Sequence, residues 1–480
     1  MRLLLALTTA LLLGFAAPAG AREAVVRSFD GTRLHVSFHP AEGLKAGKRA
    51  PTILMTHGWG GRRERSPDGP SNAANAGTAA LRKAGFNLLT WDSRGFGDSG
   101  GTVTIDYRKN EGRDVRVLLD WLARRPEAKL DRRRDPRVGM HGGSYAGGIQ
   151  FVAAAIDRRI DAIAPSIAWH SLVTSLYRAE TVKGGWSGVL YAAGQSGRLD
   201  PHITSAFGTG ASTGTLSAED RAWFASRGPG RLVRRIKVPT LILQGTPDTL
   251  FTPSEAIDNY EILRRRKVPL KMLWFCGGHG TCLTGEGTAR HLERRVIAWL
   301  KRYVMRRKVA TGPRFEWLAD DAVWRGARSF PPPRRAPVVG EGSGTLAISP
   351  GDALSGSATV AAPAANGVNV PIAEATAQVV GEPRVRLTYS GTGTATHVFA
   401  QIVDESRNLV LGNQVTPIPV TLDGATHTIT RSLEGVAASL APGRRYRLQL
   451  IGGSQVYGPA RGAATVAFSA ARIELPTASP

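Results

Sequence analysis

The chain has 480 residues, 42% of them hydrophobic, and a formal charge of +24 from 62 basic against 38 acidic side chains. Single cores stop growing near roughly 250–300 residues, so this length excludes one core and calls for a division. No nucleic-acid motif accompanies the charge, which suggests attraction to anionic envelope polymers or an arginine-rich composition with no particular partner.

Residues 1–21 read as a signal peptide: Arg2, an apolar stretch from Leu3 to Phe15, then Ala19-Gly20-Ala21 as an A-x-A cleavage site. The stretch is too short to span a bilayer core of about 30 Å, and no later run reaches the roughly 20 apolar residues needed. The mature chain is therefore expected to be exported, extracellular or associated with the cell envelope, without a transmembrane segment. Asp30-Gly31 marks a hairpin before the alternating Leu34, Val36 and Phe38. From Phe29 to about Arg307 strand and helix patterns alternate, the signature of a mostly parallel sheet covered on both faces.

Residues 51–56 read as a buried strand followed by His57-Gly58-Trp59-Gly60-Gly61. Residues 88–91 read as another strand, and Gly95-Phe96-Gly97-Asp98-Ser99-Gly100 after it matches the glycine spacing of a dinucleotide site. The next segment is β-branched, and no helical period starts until about Val115, so no helix terminus faces a pyrophosphate. A helix over 115–123 places Val115, Leu118, Leu119 and Leu122 on one face.

The most informative segment is Met140-His141-Gly142-Gly143-Ser144-Tyr145-Ala146-Gly147-Gly148, between a strand at 137–141 and a helix at 149–155. A reversal that tight forces strained backbone on Ser144 and exposes its hydroxyl, the logic of a nucleophile elbow. Against G-x-S-x-G, Ala146 stands where the second glycine is usual. A hydrolase of this type needs an acid and then a histidine, in that chain order. Thr240–Gly245 reads as a strand with Asp248 on the loop after it, and Leu270–Phe275 as the next strand with His279 on its loop. His57 precedes the serine, His141 lies inside its strand, and His170 would require an acid other than Asp248.

The oxyanion of a tetrahedral intermediate needs amide donors, for which Tyr145 and Trp59 are the candidates. The insert at about 171–235 interrupts the alternation and is expected to overhang Ser144 as a lid. Its Trp186, Tyr191 and Trp223 either line a pocket or, the favoured reading, fill the insert's own core. Cys276 and Cys282 are the only cysteines and bracket His279. Export permits a disulfide between them; two free thiols, or a zinc site short of ligands, are the alternatives. A closing helix at 289–305 carries Val296, Ile297 and Leu300. Past it, Phe330-Pro331-Pro332-Pro333-Arg334-Arg335 reads as a stiff linker. Short alternating runs follow: Val385, Leu387, Tyr389 in one, Tyr446, Leu448, Leu450 in another, with Asp423-Gly424 as a hairpin between them. A sandwich or jelly roll fits these runs.

Four motifs together resemble the α/β-hydrolase family that contains X-Pro dipeptidyl-peptidases and cocaine esterase: Gly142-Gly143-Ser144-Tyr145-Ala146-Gly147, Asp92-Ser93-Arg94-Gly95-Phe96-Gly97-Asp98-Ser99-Gly100, Gly245-Thr246-Pro247-Asp248 and Gly278-His279-Gly280. Against that family's G-x-S-Y-x-G, Ala146 is no departure. The resemblance implies a triad of Ser144, Asp248 and His279, an oxyanion site near Tyr145, a helical cap, and a carboxyl-terminal jelly roll. Some members place a tyrosine hydroxyl in the oxyanion site where this chain has Trp59. The expected division is a signal peptide at 1–21, an α/β-hydrolase domain at 22–312, a linker at 313–335 and a β-sandwich at 336–480.

The expected chemistry is acyl transfer to water through an acyl-enzyme, with no cofactor and no metal. A small ester or a peptide is the substrate, nucleic acid is not a partner, and a non-catalytic envelope-glycan binder is the alternative. An X-Pro exopeptidase additionally needs an anionic group to receive the substrate's free amine, and no motif supplies one.

Overall fold

A computed structural model describes residues 22–72, 74–283, 288–351 and 354–479, so the expected signal peptide lies outside the described residues. The amino-terminal part is built on one ten-stranded sheet. Its order is Arg22–Arg27, Arg33–His39, Asn87–Trp91, Thr52–Met55, Val138–Gly143, Ile160–Ser166, Thr240–Gly245, Leu270–Phe275, Phe315–Leu318, Trp324–Ala327. The seven strands from Asn87–Trp91 to Phe315–Leu318 run parallel. Strands buried on both faces read as continuous apolar runs, which is why Leu88, Leu89, Leu241, Leu243 and Leu273 are all fully buried. At one edge the Asp30-Gly31 turn joins two antiparallel strands, with Leu34, Val36 and Phe38 inside.

Helix Glu111–Leu122 lays Val115, Leu118, Leu119 and Leu122 on the sheet. Thr288–Tyr303 covers the sheet with Leu292, Val296, Trp299 and Leu300. The Gly95–Gly100 segment is a succession of turns, and the next helix opens only at Glu111. The insert between Ile160–Ser166 and Thr240–Gly245 carries the helices Leu172–Leu176, Gly184–Gly194, Pro201–Thr213 and Ala218–Ala225. Among the described residues no helix is long and apolar enough to cross a membrane.

Two expectations are corrected. The stretch taken as a linker, 313–335, adds Phe315–Leu318 and Trp324–Ala327 to the main sheet. Phe330 is buried against Tyr260, Trp274 and Phe315, ring centroids 5.0–5.9 Å apart, so the start of the proline run is pinned to the hydrolase core. Second, Asp423-Gly424 is a turn but not a hairpin. Its flanking strands, Leu409–Pro419 and His427–Ser432, stand at opposite ends of an eight-strand order, and the turn is held locally by Asp423 Oδ1 accepting from Ala425 N.

That eight-stranded antiparallel sheet and a three-stranded companion make the carboxyl-terminal part all β. Val385, Leu387 and Tyr389, and likewise Tyr446, Leu448 and Leu450, alternate inward as the period-two pattern requires. This part docks on the sheet edge where the Thr240–Gly245 and Leu270–Phe275 strands end. Asn413 Nδ2 donates to Thr281 O at 2.8 Å, and Thr281 N donates to Thr359 O at 3.0 Å.

Candidate active site

Ser144 sits at φ 58°, ψ −122°, between strand Val138–Gly143 and helix Tyr145–Ile156. A non-glycine residue there stores roughly 1–3 kcal/mol of strain, which the surroundings must enforce. They do so by close approach. A Cβ on Gly142 would lie 2.7 Å from the Ala146 methyl, and one on Gly147 would lie 2.7 Å from Ser166 O. The steric requirement after the serine thus falls at 147, and Ala146 fits where the general motif has glycine. Buried Gln150 ties the turn together: Nε2 donates to Gly142 O and Ala146 O at 2.9 and 2.8 Å, and Oε1 accepts from Ala164 N at 3.2 Å. Sequence reasoning missed Gln150, whose signal is a lone amide in an apolar helix.

The structure brings together the three residues singled out. Ser144 Oγ lies 2.9 Å from His279 Nε2, and His279 Nδ1 lies 2.7 Å from Asp248 Oδ2. That oxygen also accepts from His279 N at 3.1 Å, while Oδ1 accepts from Leu250 N and Phe251 N at 3.0 and 2.9 Å. Asp248 is wholly buried, so the imidazole and these amides compensate its charge in place of water. The carboxylate can only accept from Nδ1–H, which leaves the Nε2 lone pair facing the hydroxyl. Trp186 and Phe251 meet the imidazole edge-on at 5.9 and 5.1 Å.

The three rival histidines are engaged elsewhere. His57 Nε2 accepts from Ser93 N at 3.1 Å, and burial pushes the ring's pKa down. His141 bridges Ala76 N and Ala164 O, and burial lowers its pKa to about 4. The His170 ring bonds Asn259 Oδ1 at 2.8 Å.

Tyr145 opens its helix, so its amide is among those with no partner inside the helix and sits at the positive end of the dipole. Trp59 stands beside Ser144 and Tyr145 on the wall of a cavity of about 110 Å³, its indole N–H spent on Leu190 O at 2.8 Å. The cap closes this cavity with Leu172, Leu190, Tyr191 and Phe207, the last two stacked at 4.1 Å. Of the three insert aromatics singled out in the sequence, Tyr191 lines the cavity and Trp186 packs on His279. Trp223 stacks on His202 under the Arg227 guanidinium, inside the cap.

The loop carrying Asp248 is gripped from two sides. From the cap, the buried Lys183 donates to Thr249 O and Leu250 O, both at 2.9 Å, and burial lowers its pKa to about 8. Trp186 Nε1 reaches Thr249 Oγ1 at 3.1 Å, and that hydroxyl donates to Ala358 O of the β-domain at 2.6 Å. Also from the β-domain, Gln414 Nε2 donates to Thr246 O at 2.8 Å and Asp248 O at 3.1 Å. No pattern in the sequence marked Lys183 or Gln414. Cys276 and Cys282 form a disulfide that closes the loop bearing His279.

Comparison with known proteins agrees with this architecture. The sequence model of the X-Pro dipeptidyl-peptidase family (S15) matches residues 30–281, just over half of the chain. An aminopeptidase from a marine sediment Thaumarchaeota archaeon superposes with a TM-score of 0.75 at 14% identity, covering 98% of this chain and 99% of its own. An α-amino acid ester hydrolase gives 0.69 at 16%, covering 98% and 100%, and a CocE/NonD family hydrolase from Staphylococcus aureus gives 0.66 at 12%, covering 96% and 97%. At such identities the likeness is one of fold. An uncharacterized 31.7 kDa protein of Escherichia coli is 32% identical over 119 residues, 25% of this chain, and the chain spans 37% of that relative's length.

Proposed function

Because the chain belongs to the X-Pro dipeptidyl-peptidase (S15) family, we propose that it is a serine hydrolase whose acyl-bond cleavage runs through Ser144, His279 and Asp248. The observation that carries this reading is the unbroken hydrogen-bonded series from Asp248 through His279 to a serine held at a strained elbow. His279 Nε2 takes the Ser144 proton as Oγ attacks the substrate carbonyl. The amides of Tyr145 and Trp59 receive the oxyanion, His279 returns the proton to the leaving group, and a water activated by the same nitrogen releases the acyl group. Asp248 holds the imidazole tautomer and steadies the imidazolium. Every step is proton transfer and carbonyl addition, which these side chains supply themselves.

Membership of a hydrolase family sets aside the non-catalytic glycan-binding alternative. Export extends the proposal and is supported by the pattern of residues 1–21 and by the disulfide, which persists in oxidising compartments. Attraction of the +24 chain to anionic envelope polymers is its electrostatic corollary.

The test is Ser144→Ala assayed on p-nitrophenyl butyrate, with a fluorophosphonate probe on the unaltered protein. Loss of a triad serine typically costs about 10⁶-fold in turnover, so the variant should fall to near background and the probe should label Ser144. Activity retained in the variant would place the chemistry elsewhere.

A further inference from the structure

The described wall of the cavity at Ser144 offers no charged group to balance an ammonium. Among the described residues its wall contains no Asp, Glu, Lys, Arg or His side chain. Two of its polar atoms are committed: Ser187 Oγ donates to Gly184 O at 2.9 Å and the Trp59 indole to Leu190 O. Behind the wall, Ile105 is followed by Asp106, a fully buried carboxyl with no hydrogen-bond partner among the described residues. It is crowded against Trp169. A Cβ on Gly148 would lie 2.5 Å from both Asp106 Oδ2 and Trp169 Cη2, so the indole occupies the space beside this carboxyl. Burial first, and the Glu111 charge nearby, push the Asp106 pKa well above its ordinary value. Glu111 is itself consumed by Thr104 N, Thr104 Oγ1 and Tyr107 N at 2.6–2.9 Å. Next to the wall residues Val182 and Phe251, the buried side chain is a base, Lys183.

We propose that the acyl subsite takes a neutral, apolar acyl group about the size of a phenyl ring and rejects the α-ammonium that an X-Pro dipeptide or an amino-acid ester would place there. The proposal rests on Ser144 being the nucleophile and specifies what that serine acts on. A dry apolar cavity of about 150 Å³ accepts benzene, and this one is of that order at about 110 Å³. An ammonium entering it would lose its water with no counter-ion, which predicts discrimination of roughly 100-fold or more between isosteres that differ only by the amine.

The experiment uses the purified chain on two p-nitrophenyl esters, of 3-phenylpropanoic acid and of L-phenylalanine, with Gly-Pro-p-nitroanilide as a third substrate. At pH 6.5 kcat/KM should favour the phenylpropanoate by about 100-fold or more, and the gap should narrow at pH 8.5 as the amine loses its proton. Gly-Pro-p-nitroanilide should be turned over far more slowly than the phenylpropanoate. Equal or faster turnover of the phenylalanyl ester at pH 6.5, or efficient release from Gly-Pro-p-nitroanilide, would overturn the proposal. Asp106→Asn should leave the ratio of the two esters unchanged; a selective loss of the phenylalanyl ester would make Asp106 the amine receiver and also overturn it. Turnover of neither ester by a protein whose Ser144 takes up fluorophosphonate would refute the subsite and spare the triad. No turnover and no labelling would refute the triad beneath it.

Discussion

Gln414 belongs to the β-domain, yet it holds the loop of Asp248, the proposed triad acid, and replacing it tests whether that domain acts on the chemistry. Leucine has nearly the same volume and no donor. Gln414→Leu therefore removes the bonds to Thr246 O and Asp248 O without opening a cavity, leaving two carbonyls in a buried interface. Each unsatisfied group costs about 1–3 kcal/mol, so roughly 2–6 kcal/mol favours a displaced loop. Asp248 still accepts from the amides of Leu250, Phe251 and His279, which resist the displacement. If about 1.4 kcal/mol of that conflict reaches the transition state, kcat falls about tenfold. The effect should appear in kcat more than in KM, because Gln414 is absent from the cavity wall. The assay is steady-state turnover of p-nitrophenyl butyrate well below the measured Tm of both proteins. A lowered Tm with kcat within about twofold of the unaltered protein would reduce Gln414 to interdomain adhesion and refute the positioning argument.

Two further outcomes follow from the loops and the buried imidazoles. Replacing both Cys276 and Cys282 by serine should cost roughly 2 kcal/mol in denaturant melts, the chain-entropy value for so short a loop, and should lower kcat because His279 lies inside that loop; unchanged kcat would show the loop is held without the bridge. His141 has a folded pKa of about 4 against an ordinary 6.5, so the unfolded chain binds the extra proton between those values; the stability is fully present above pH 6.5, and about 3 kcal/mol is lost as pH falls to 4. Urea melts of His141→Gln should show a shallower decline over that window, and an identical decline would place the acid sensitivity in other groups.

The grouping of Ser144, Asp248 and His279 was legible because parallel strands buried on both faces announce themselves as short apolar runs, and the loops after Thr240–Gly245 and Leu270–Phe275 could be located to the residue. Where a boundary moved, the local chemistry explains it. Apolar periodicity begins at Ile149, but the helix opens at Tyr145, because the elbow imposes helical geometry on Tyr-Ala-Gly-Gly, a string with little propensity of its own. Helix Glu111–Leu122 likewise starts four residues before Val115. Its first turn is polar, and Glu111 turns its carboxylate back onto Thr104 and Tyr107. The four-residue strands Phe315–Leu318 and Trp324–Ala327 were too short to stand out beside the proline run, and it is pairing with Leu270–Phe275 that recruits the first of them to the sheet.

What the sequence withheld is the way distant segments meet on one loop. Thr249 joins the two sides directly: it receives the Trp186 indole N–H from the cap and donates to Ala358 O of the β-domain. Arg178 of the cap lies 2.7 Å from buried Glu434 of the β-domain, a pair that neither part could bury alone without exposing an uncompensated charge. A lysine in an insert and a glutamine in a strand carry no periodicity that betrays such contacts, since each is informative only once its partner carbonyls are in place. The cap shapes the cavity and the β-domain braces Asp248, and both contact residues 246–251. A displacement of the β-domain therefore reaches Asp248 through Gln414, whereas a displacement of the cap reaches both that loop, through Lys183, and the cavity wall beside Ser144.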